Sequence, residues 1–372
     1  MVSLRQVLTK KDLKIFIYLP RQLYGRDPLW VPPIFADEGK FHSPKQNLAA
    51  QNADTQCWLA YNNNVPVGRI MGIINHTHNR LQGTRDVRFY QLDCVNDPSV
   101  SHLLIEAVRV WGRKKGMNKL VGPFGFSDKD PQGVKIEGFE HLAVIQTPSH
   151  PPYLRELIEQ EGMVKEVDCL SYQMHIPDTF PEAYLRVCDR VNARKKFFLK
   201  EFNTRKALRP YILPVLRLLN ETYTGIYGFV PLSDEEINSL AKQYLPILDP
   251  RLVKLVVDRN NEPAAFVVSM PGLSEALQKC RGQLFPFGFL HILQALKTSR
   301  QLVLLLGAVK PNYRGQGVTA LLAASLLKTA KSLGMTVIDT HLILENNYPM
   351  RAEAENLGGK VYKRFRVYQQ KL

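Results

Sequence analysis

Apolar positions in this chain fall into two periods, and the order of the periods occurs twice. Cys57-Trp58-Leu59-Ala60-Tyr61 and Val67-Gly68-Arg69-Ile70-Met71-Gly72-Ile73 are strand-sized apolar runs, with Asn62-Asn63-Asn64-Val65-Pro66 between them. About 200 residues later, Leu252 to Val257 and Ala264-Ala265-Phe266-Val267-Val268 flank Asp258-Arg259-Asn260-Asn261-Glu262-Pro263. Short apolar runs around an Asn-rich turn with a Pro predict a β-hairpin in each half. Next comes a helical period: Leu103 to Trp111, running to Gly116-Met117, and Leu321 to Leu327, running to Gly334-Met335. Each glycine suits a helix C-terminus, and a strand follows each. A further helix, Tyr153 to Ile158 ending at Gly162-Met163, matches Met350 to Ala354 ending at Gly358-Gly359. Final strands are predicted over Val167 to Met174 and Val361 to Tyr368.

This order predicts an α/β fold with a mixed sheet, present twice as a tandem duplication. The stretch from about Pro177 to Arg205 reads as the joint, with Pro177, Pro181 and basic residues near Arg194.

The composition supports a folded core. The 372 residues are 45% hydrophobic and 22% charged, which suits two globular domains and disfavours disorder. The longest apolar runs, such as Leu302 to Leu306, fall far short of the roughly 20 residues of a spanning helix. Met1-Val2-Ser3-Leu4-Arg5 has no charged head followed by a long apolar stretch. A cytoplasmic protein is therefore expected. Cys57, Cys94, Cys169, Cys188 and Cys280 are scattered, without a CxxC pair, so neither zinc nor a disulfide framework is expected. The formal net charge of +15 calls for an anionic partner. The clusters Arg113-Lys114-Lys115 and Arg194-Lys195-Lys196 lack interleaved aromatics, so nucleic acid is not expected.

The densest chemistry lies in Leu305-Leu306-Gly307-Ala308-Val309-Lys310-Pro311-Asn312-Tyr313-Arg314-Gly315-Gln316-Gly317-Val318-Thr319. An apolar strand runs into a Pro, then a Gly-rich turn, then a helix. Glycines let a ligand approach the main chain. Unpaired amides and the dipole at a helix start favour an anion, and Lys310 and Arg314 add full charges. In physical terms this is a pyrophosphate site. It is neither a Walker loop nor a GxGxxG fingerprint.

The segment resembles the acyl-CoA-binding motif of the GNAT superfamily of N-acetyltransferases, Arg/Gln-x-x-Gly-x-Gly/Ala. Gly315-Gln316-Gly317 matches the Gly-x-Gly part, and Arg314 stands where the family often has Arg. Asn312 at the first position departs from the pattern and removes one side-chain contact. Asn347, before an Ala-containing helix and Leu357-Gly358, looks like the Asn that starts the last GNAT helix. The resemblance implies acyl-CoA as co-substrate and no metal. It also implies a binding site at Ala308, Val309, Arg314, Gly315, Gln316, Gly317, Val318, Thr319 and Asn347. The implied fold class is α/β: two tandem GNAT-like domains, each a mixed, mostly antiparallel sheet flanked by helices. Residues 1–180 form the domain without the pyrophosphate loop, and 181–372 the domain that has it. In the first half, Asp93-Cys94-Val95-Asn96-Asp97-Pro98 has no Arg-Gly-x-Gly, so one cofactor per chain is expected.

An amine must lose a proton before it attacks a thioester, and the leaving thiolate needs one. The GNAT Tyr that serves the thiolate falls on Ala354 here, a departure that leaves the acid open. Asp339 and His341 share one face of the strand Thr336 to Glu345 by alternation, and an unperturbed histidine changes charge near neutrality. A His on an apolar strand also reads as a satisfied core group. Tyr348 and Glu345 are further candidates, and Asp93 occupies the strand position where GNAT enzymes often place a base. The polar loop Gly122 to Gly133 offers Phe124, Ser127, Asp128 and Asp130 to a cleft between the halves.

Phe285, Phe287 and Phe289 open an apolar helix with Pro286 and Gly288 among them. They read as packing between domains, as a wall for a long acyl chain, or as a surface dipping into a membrane interface. The whole chain, including Asp27-Pro28-Leu29-Trp30-Val31-Pro32-Pro33 and Tyr227-Gly228-Phe229-Val230-Pro231-Leu232, is similar to a bacterial family of tandem GNAT-like proteins that includes the ceramide synthases. That resemblance implies transfer of a long-chain acyl group from acyl-CoA to a sphingoid base, a lipid amine, at an anionic inner-membrane face. The alternatives are acetyl transfer to a small amine or protein Lys, a non-catalytic acyl-CoA sensor, and an aminoacyl-tRNA-dependent transferase, which the intact Arg-Gly-Gln-Gly loop disfavours. The oligomeric state is left open.

Overall fold

A computed structural model describes residues 2–145, 147–245 and 247–372. The first half contains β1 (Val2–Gln6), α1 (Lys10–Tyr24), α2 (Phe35–Phe41), β2 (Ala53–Asn62), β3 (Val65–Asn75) and α3 (His76–Gln82). It continues with β4 (Asp86–Cys94), α4 (Pro98–Lys114), β5 (Lys119–Gly122), β6 (Val134–Glu137), α5 (Pro152–Gln160) and β7 (Val164–His175). The second half contains α6 (Glu182–Ala193), β8 (Phe197–Glu201), α7 (Arg205–Thr222), α8 (Asp234–Tyr244), β9 (Val253–Asp258), β10 (Pro263–Pro271) and α9 (Ser274–Lys279). Then follow α10 (Gly288–Thr298), β11 (Gln301–Val309), α11 (Val318–Ser332), β12 (Val337–Thr340), β13 (Ile343–Leu344), α12 (Tyr348–Asn356) and β14 (Lys360–Lys371).

The predicted repeat is present element for element. The series β2, β3, β4, α4, β5, α5, β7 recurs as β9, β10, β11, α11, β12, α12, β14. Among the described residues the only parallel pairs are β4 with β5 and β11 with β12, joined through α4 and α11. The Asn-rich turns place Asn63, Asn64 and Asn261 at positive φ, a conformation Asn tolerates in a tight hairpin.

The halves meet through one continuous sheet in the order β1-β2-β3-β4-β5-β14-β7-β12-β11-β10-β9-β8, with β6 on β14 and β13 on β7. The last strand of each half lies against the other half: β7 pairs with β12, and β14 pairs with β5. The two exchanged strands pair with each other from Lys360↔Gln173 to Gln369↔Val164. Separating the halves would therefore break main-chain ladders as well as side-chain packing.

The expected joint is shorter than the sequence suggests. Residues 182–201 form α6 and β8, because Tyr184, Val187, Cys188 and Val191 recur at helical spacing and pack under α11 with Val318, Leu321 and Leu322. Each such buried Leu contributes about 1.5–3 kcal/mol of apolar burial. On the opposite sheet face, α7 covers β9, β10 and β11, its Leu208, Val215 and Leu219 packing with Leu255, Phe266 and Leu306. The Phe-rich segment is not domain packing: Phe285 is 82% and Phe287 72% exposed, while Ile292, Ala295 and Leu296 of α10 pack against the core.

Candidate active site

The site is built where two neighbouring strands part. β11 and β12 pair from Gln301↔Val337 to Leu304↔Thr340. The last bond across the pair is donated by the His341 amide to the Leu304 carbonyl at 2.9 Å. Beyond it β11 runs on to Val309, while β12 has ended. A bulge in β11 shifts its register against β10 between Val268 and Ser269, and a bulge re-aims an edge. Lys310 N–H donates to Ala264 O at 2.8 Å, toward β10. Two-residue alternation then turns the polar groups of Gly307 and Val309 into the gap. Side chains meet them there. The Tyr223 hydroxyl donates to Gly307 O at 3.1 Å and accepts from Gly307 N–H at 3.4 Å. Arg314 Nε approaches Val309 O at 3.5 Å.

The gap ends at the glycine loop. A 3₁₀ turn, Pro311–Tyr313, leads to Gly315 at φ 72° and Gly317 at φ 82°, and α11 begins at Val318. A Cβ on Gly317 would stand 2.7 Å from both Val187 and Val191, whereas one on Gly315 would meet nothing within 4 Å. Two loop amides are already bonded: Arg314 to Pro311 O at 3.2 Å and Gln316 to Tyr313 O at 3.3 Å. Among the described residues no protein oxygen accepts from the amides of Gly315, Gly317, Val318 or Thr319, and no side chain caps α11. Arg314 is exposed, and Lys196 reaches the Gln316 side chain at 2.8 Å. Ala308 is half-buried beside the gap. The Thr319 hydroxyl donates to Glu353 at 3.3 Å. Free amides, a helix start and basic side chains together suit a diphosphate.

A cavity of about 320 Å³ lies between the parted strands and α7–α8, within the usual range of ligand pockets, about 300–1,000 Å³. Its strand wall carries Leu304 to Gly307, followed by His341, and Asn347 and Met350 line it at the start of α12. Leu208, Ile212, Val215, Leu219, Leu240 and Leu248 make the helical walls apolar. Asp128, Lys129 and Gln132 reach it from the first half. Burial raises the Asp128 carboxyl, and Lys129 at 3.1 Å pulls it back down.

The sequence candidates separate into those at this cavity and those elsewhere. His341, Asn347 and Asp128 line it. Asn347 also caps α12, accepting from Met350 N–H at 3.4 Å. Ser127, Asp130 and Phe124 shape the loop behind Asp128. Ser127 Oγ accepts from Lys129 N–H at 3.3 Å, and Asp130 accepts from Phe126 N–H at 2.7 Å. Burial pushes Asp130 up to about 6. Phe124 is wedged between Arg88 and Tyr227. Asp339 is fully buried, with Oδ2 accepting from Gln301 at 3.1 Å and from the Tyr362 hydroxyl. Burial pushes it up to about 6. Gln301 and Tyr362 border a separate polar cavity of about 540 Å³, so Asp339 and His341 serve different surroundings despite strand alternation. Asp93 pairs with Arg69 at 2.7 Å inside the first half. Tyr348 is 70% exposed and lies near Arg351. Phe285, Phe287 and Phe289 line neither cavity.

Sequence reasoning missed Tyr223 and the α7–α8 wall. The helical spacing of Leu208, Ile212, Val215 and Leu219 was available, but Pro210 and Pro214 interrupt it, and both lie inside α7.

No family model matches the chain. It is 30% identical over 376 residues to Protein YghO of Escherichia coli (strain K12), across 99% of this chain and 95% of that protein. It is 29% identical over 378 residues to the bacterial ceramide synthase of Caulobacter vibrioides, across 100% of this chain and 98% of that one. Among solved structures, a tandem GNAT protein from the clavulanic acid biosynthesis pathway aligns over the whole chain and 98% of its own, with a TM-score of 0.55 at 13% identity. A GCN5-related N-acetyltransferase from Sphaerobacter thermophilus aligns over 100% of this chain and 95% of its own, with a TM-score of 0.52 at 10% identity. At such identities these two share the fold.

Proposed function

Because the chain belongs to the family of Protein YghO, within the GNAT superfamily of N-acyltransferases, we propose that it transfers a long-chain acyl group from acyl-CoA to the amine of a sphingoid base. It is an enzyme of the GNAT type, so a purely sensory role is set aside. The long-chain reading is carried by one observation: the gap between β11 and β12 opens into an apolar cavity walled by α7 and α8. A two-carbon acyl group needs no such chamber. The name of the Caulobacter relative supports the same acceptor class.

Acyl-CoA supplies an activated carbonyl, and this chain's residues supply its setting. The diphosphate belongs on the free amides of Gly315, Gly317, Val318 and Thr319, with Arg314 and Lys310 beside it. The arm pairs with the open edge of β11 as an added strand would. The acyl tail lies against Leu208, Val215 and Leu219. In this reading Asp128 or His341, both lining the cavity, takes the proton of the attacking amine. The amine nitrogen bonds to the carbonyl carbon, the carbon–sulfur bond breaks, and the proton shed by nitrogen ends on the thiol.

No helix among the described residues is long and apolar enough to cross a membrane. A lipid acceptor then has to be met at a surface, and the exposed Phe285, Phe287, Leu290 and Leu293 suit one. Lys279, Arg281, Lys297 and Arg300 flank them in sequence, which suits anionic headgroups.

The deciding experiment incubates the protein with acetyl-CoA or palmitoyl-CoA and with sphinganine, 3-ketosphinganine or small amines, and reads amide products by mass spectrometry. The expected product is the long-chain amide of a sphingoid base. Products from acetyl-CoA and small amines alone would replace this reading with short-chain transfer.

A further inference from the structure

At Gly307 the open edge of β11 is covered by one hydroxyl. Gly307 turns both its N–H and its C=O into the gap, and the Tyr223 hydroxyl answers both, at 3.4 and 3.1 Å. A single oxygen that accepts from an amide and donates to the carbonyl of the same residue stands where the amide of an added strand would stand. Its position is held from behind. Tyr223 ends α7, with its N–H on Leu219 O at 3.0 Å. Its ring packs edge-on to Phe229 at 6.0 Å.

We propose that Tyr223 is a catalytic residue of the transfer: it guards the Gly307 edge until the arm of acyl-CoA takes that edge, and then donates a hydrogen bond to the departing sulfur. The proposal rests on the acyl-CoA reading of the gap. In coenzyme A two methylenes separate the sulfur from the nearest amide nitrogen, about one residue length of strand, roughly 3.5 Å. When that amide pairs with Gly307, the sulfur lies beside the place the hydroxyl has vacated. A short swing about the side-chain torsions brings the two together.

The chemistry fits the residue. Burial raises the Tyr223 phenol to about 12, with Asp128 adding to the rise, so the hydroxyl keeps its proton at working pH. Ala354, on α12, is 2% exposed in the apolar core and carries no hydroxyl. As the carbon–sulfur bond breaks, the electron pair goes to sulfur and the hydrogen bond from Tyr223 spreads that charge. The proton lost by nitrogen passes through Asp128 or His341 and completes the thiol, so Tyr223 ends the cycle unchanged.

The test compares wild type with Tyr223→Phe, using an acyl-CoA and an amine that the wild type consumes. Loss of one such donor predicts a fall in kcat of about 10²-fold. By calorimetry the Kd for the acyl-CoA is unchanged or tighter, since the edge no longer has to be uncovered. With a thiophenol ester of the same acid, whose thiolate is weakly basic, the ratio of wild type to variant shrinks to a small fraction of its acyl-CoA value. An unchanged kcat, a weakened Kd, or the same deficit with both leaving groups overturns the proposal. Should the Phe variant fail to fold, 3-fluorotyrosine at position 223 keeps ring and hydroxyl, and kcat must then shift with phenol acidity; no shift overturns it. Failure of the functional reading looks different: the wild type itself then forms no amide with any acyl donor, and both fall.

Discussion

Asp128 comes from the first half of the chain and His341 from the second, and both line the cavity that opens where β11 and β12 part. The Asp128 loop is anchored across the halves, because Lys129 also donates to Val230 O at 2.8 Å.

Asp128→Asn is expected to lower kcat/KM by about 10²-fold, within the range for loss of an acid–base group. Burial raises the Asp128 carboxyl. The wild-type rate should therefore climb with pH through a point above the ordinary carboxylate range, as the base ionises. A pH–rate profile of the Asn variant should lack that limb, and its persistence would move the base elsewhere.

Arg314→Glu places a carboxylate at the mouth of the glycine loop. Its repulsion from a diphosphate should weaken coenzyme A binding at least about tenfold, a cost of about 1.4 kcal/mol. Arg314 is exposed, so the melting temperature should stay within a degree or two. Titration calorimetry at two salt concentrations checks both the loss and its electrostatic origin.

Val215→Trp fills the wall between α7 and the parted strands. Turnover with palmitoyl-CoA should fall about tenfold while short acyl donors are spared, because only the long tail meets the added ring. Val215 is 7% exposed, and overpacking a core costs about 1–3 kcal/mol. A melting curve therefore accompanies the chain-length series.

Phe285→Ser with Phe287→Ser removes two exposed rings. Each ring buried in an interface contributes about 1.5–3 kcal/mol. Co-sedimentation with vesicles of an anionic and a zwitterionic phospholipid should drop more than tenfold, with amine transfer in detergent unchanged. Equal sedimentation of variant and wild type would exclude this surface as the contact.

Asp339 gives a stability prediction with a definite sign. Burial holds its native pKa at about 6, against 3.8 in the unfolded chain. Between these values the native state keeps a proton that the unfolded state has lost. Stability from this group therefore falls as pH rises from about 4 to 6, by about 3 kcal/mol. Urea unfolding of Asp339→Asn should lack that decline, and a parallel decline in both proteins would assign it to other groups.

The loop that carries the cofactor reading was legible because it is local. Gly315 and Gly317 adopt positive φ, and the turn from strand to helix is written in consecutive residues. The hairpins and helices of the repeat were legible for the same reason, since period and turn chemistry act over a few residues. Asp339 and His341 show where a local rule stops. Alternation places them on one face of an ideal strand, but the strand ends at Thr340; His341 lines the cavity under α7 and α8, while Asp339 is fully buried against Gln301 and Tyr362.

The sequence alone determined the α/β repeat and the glycine loop between an apolar strand and a helix, because backbone preference and side-chain period are properties of neighbours. Only the tertiary structure decided that β7 and β14 change sides, and that Asp128 and His341 line one cavity. It also decided that Tyr223 covers Gly307, and that the apolar wall belongs to α7 and α8 while Phe285 faces outward. Each of these depends on which segments, far apart in sequence, packing and strand pairing bring together. No window of consecutive residues carries that information.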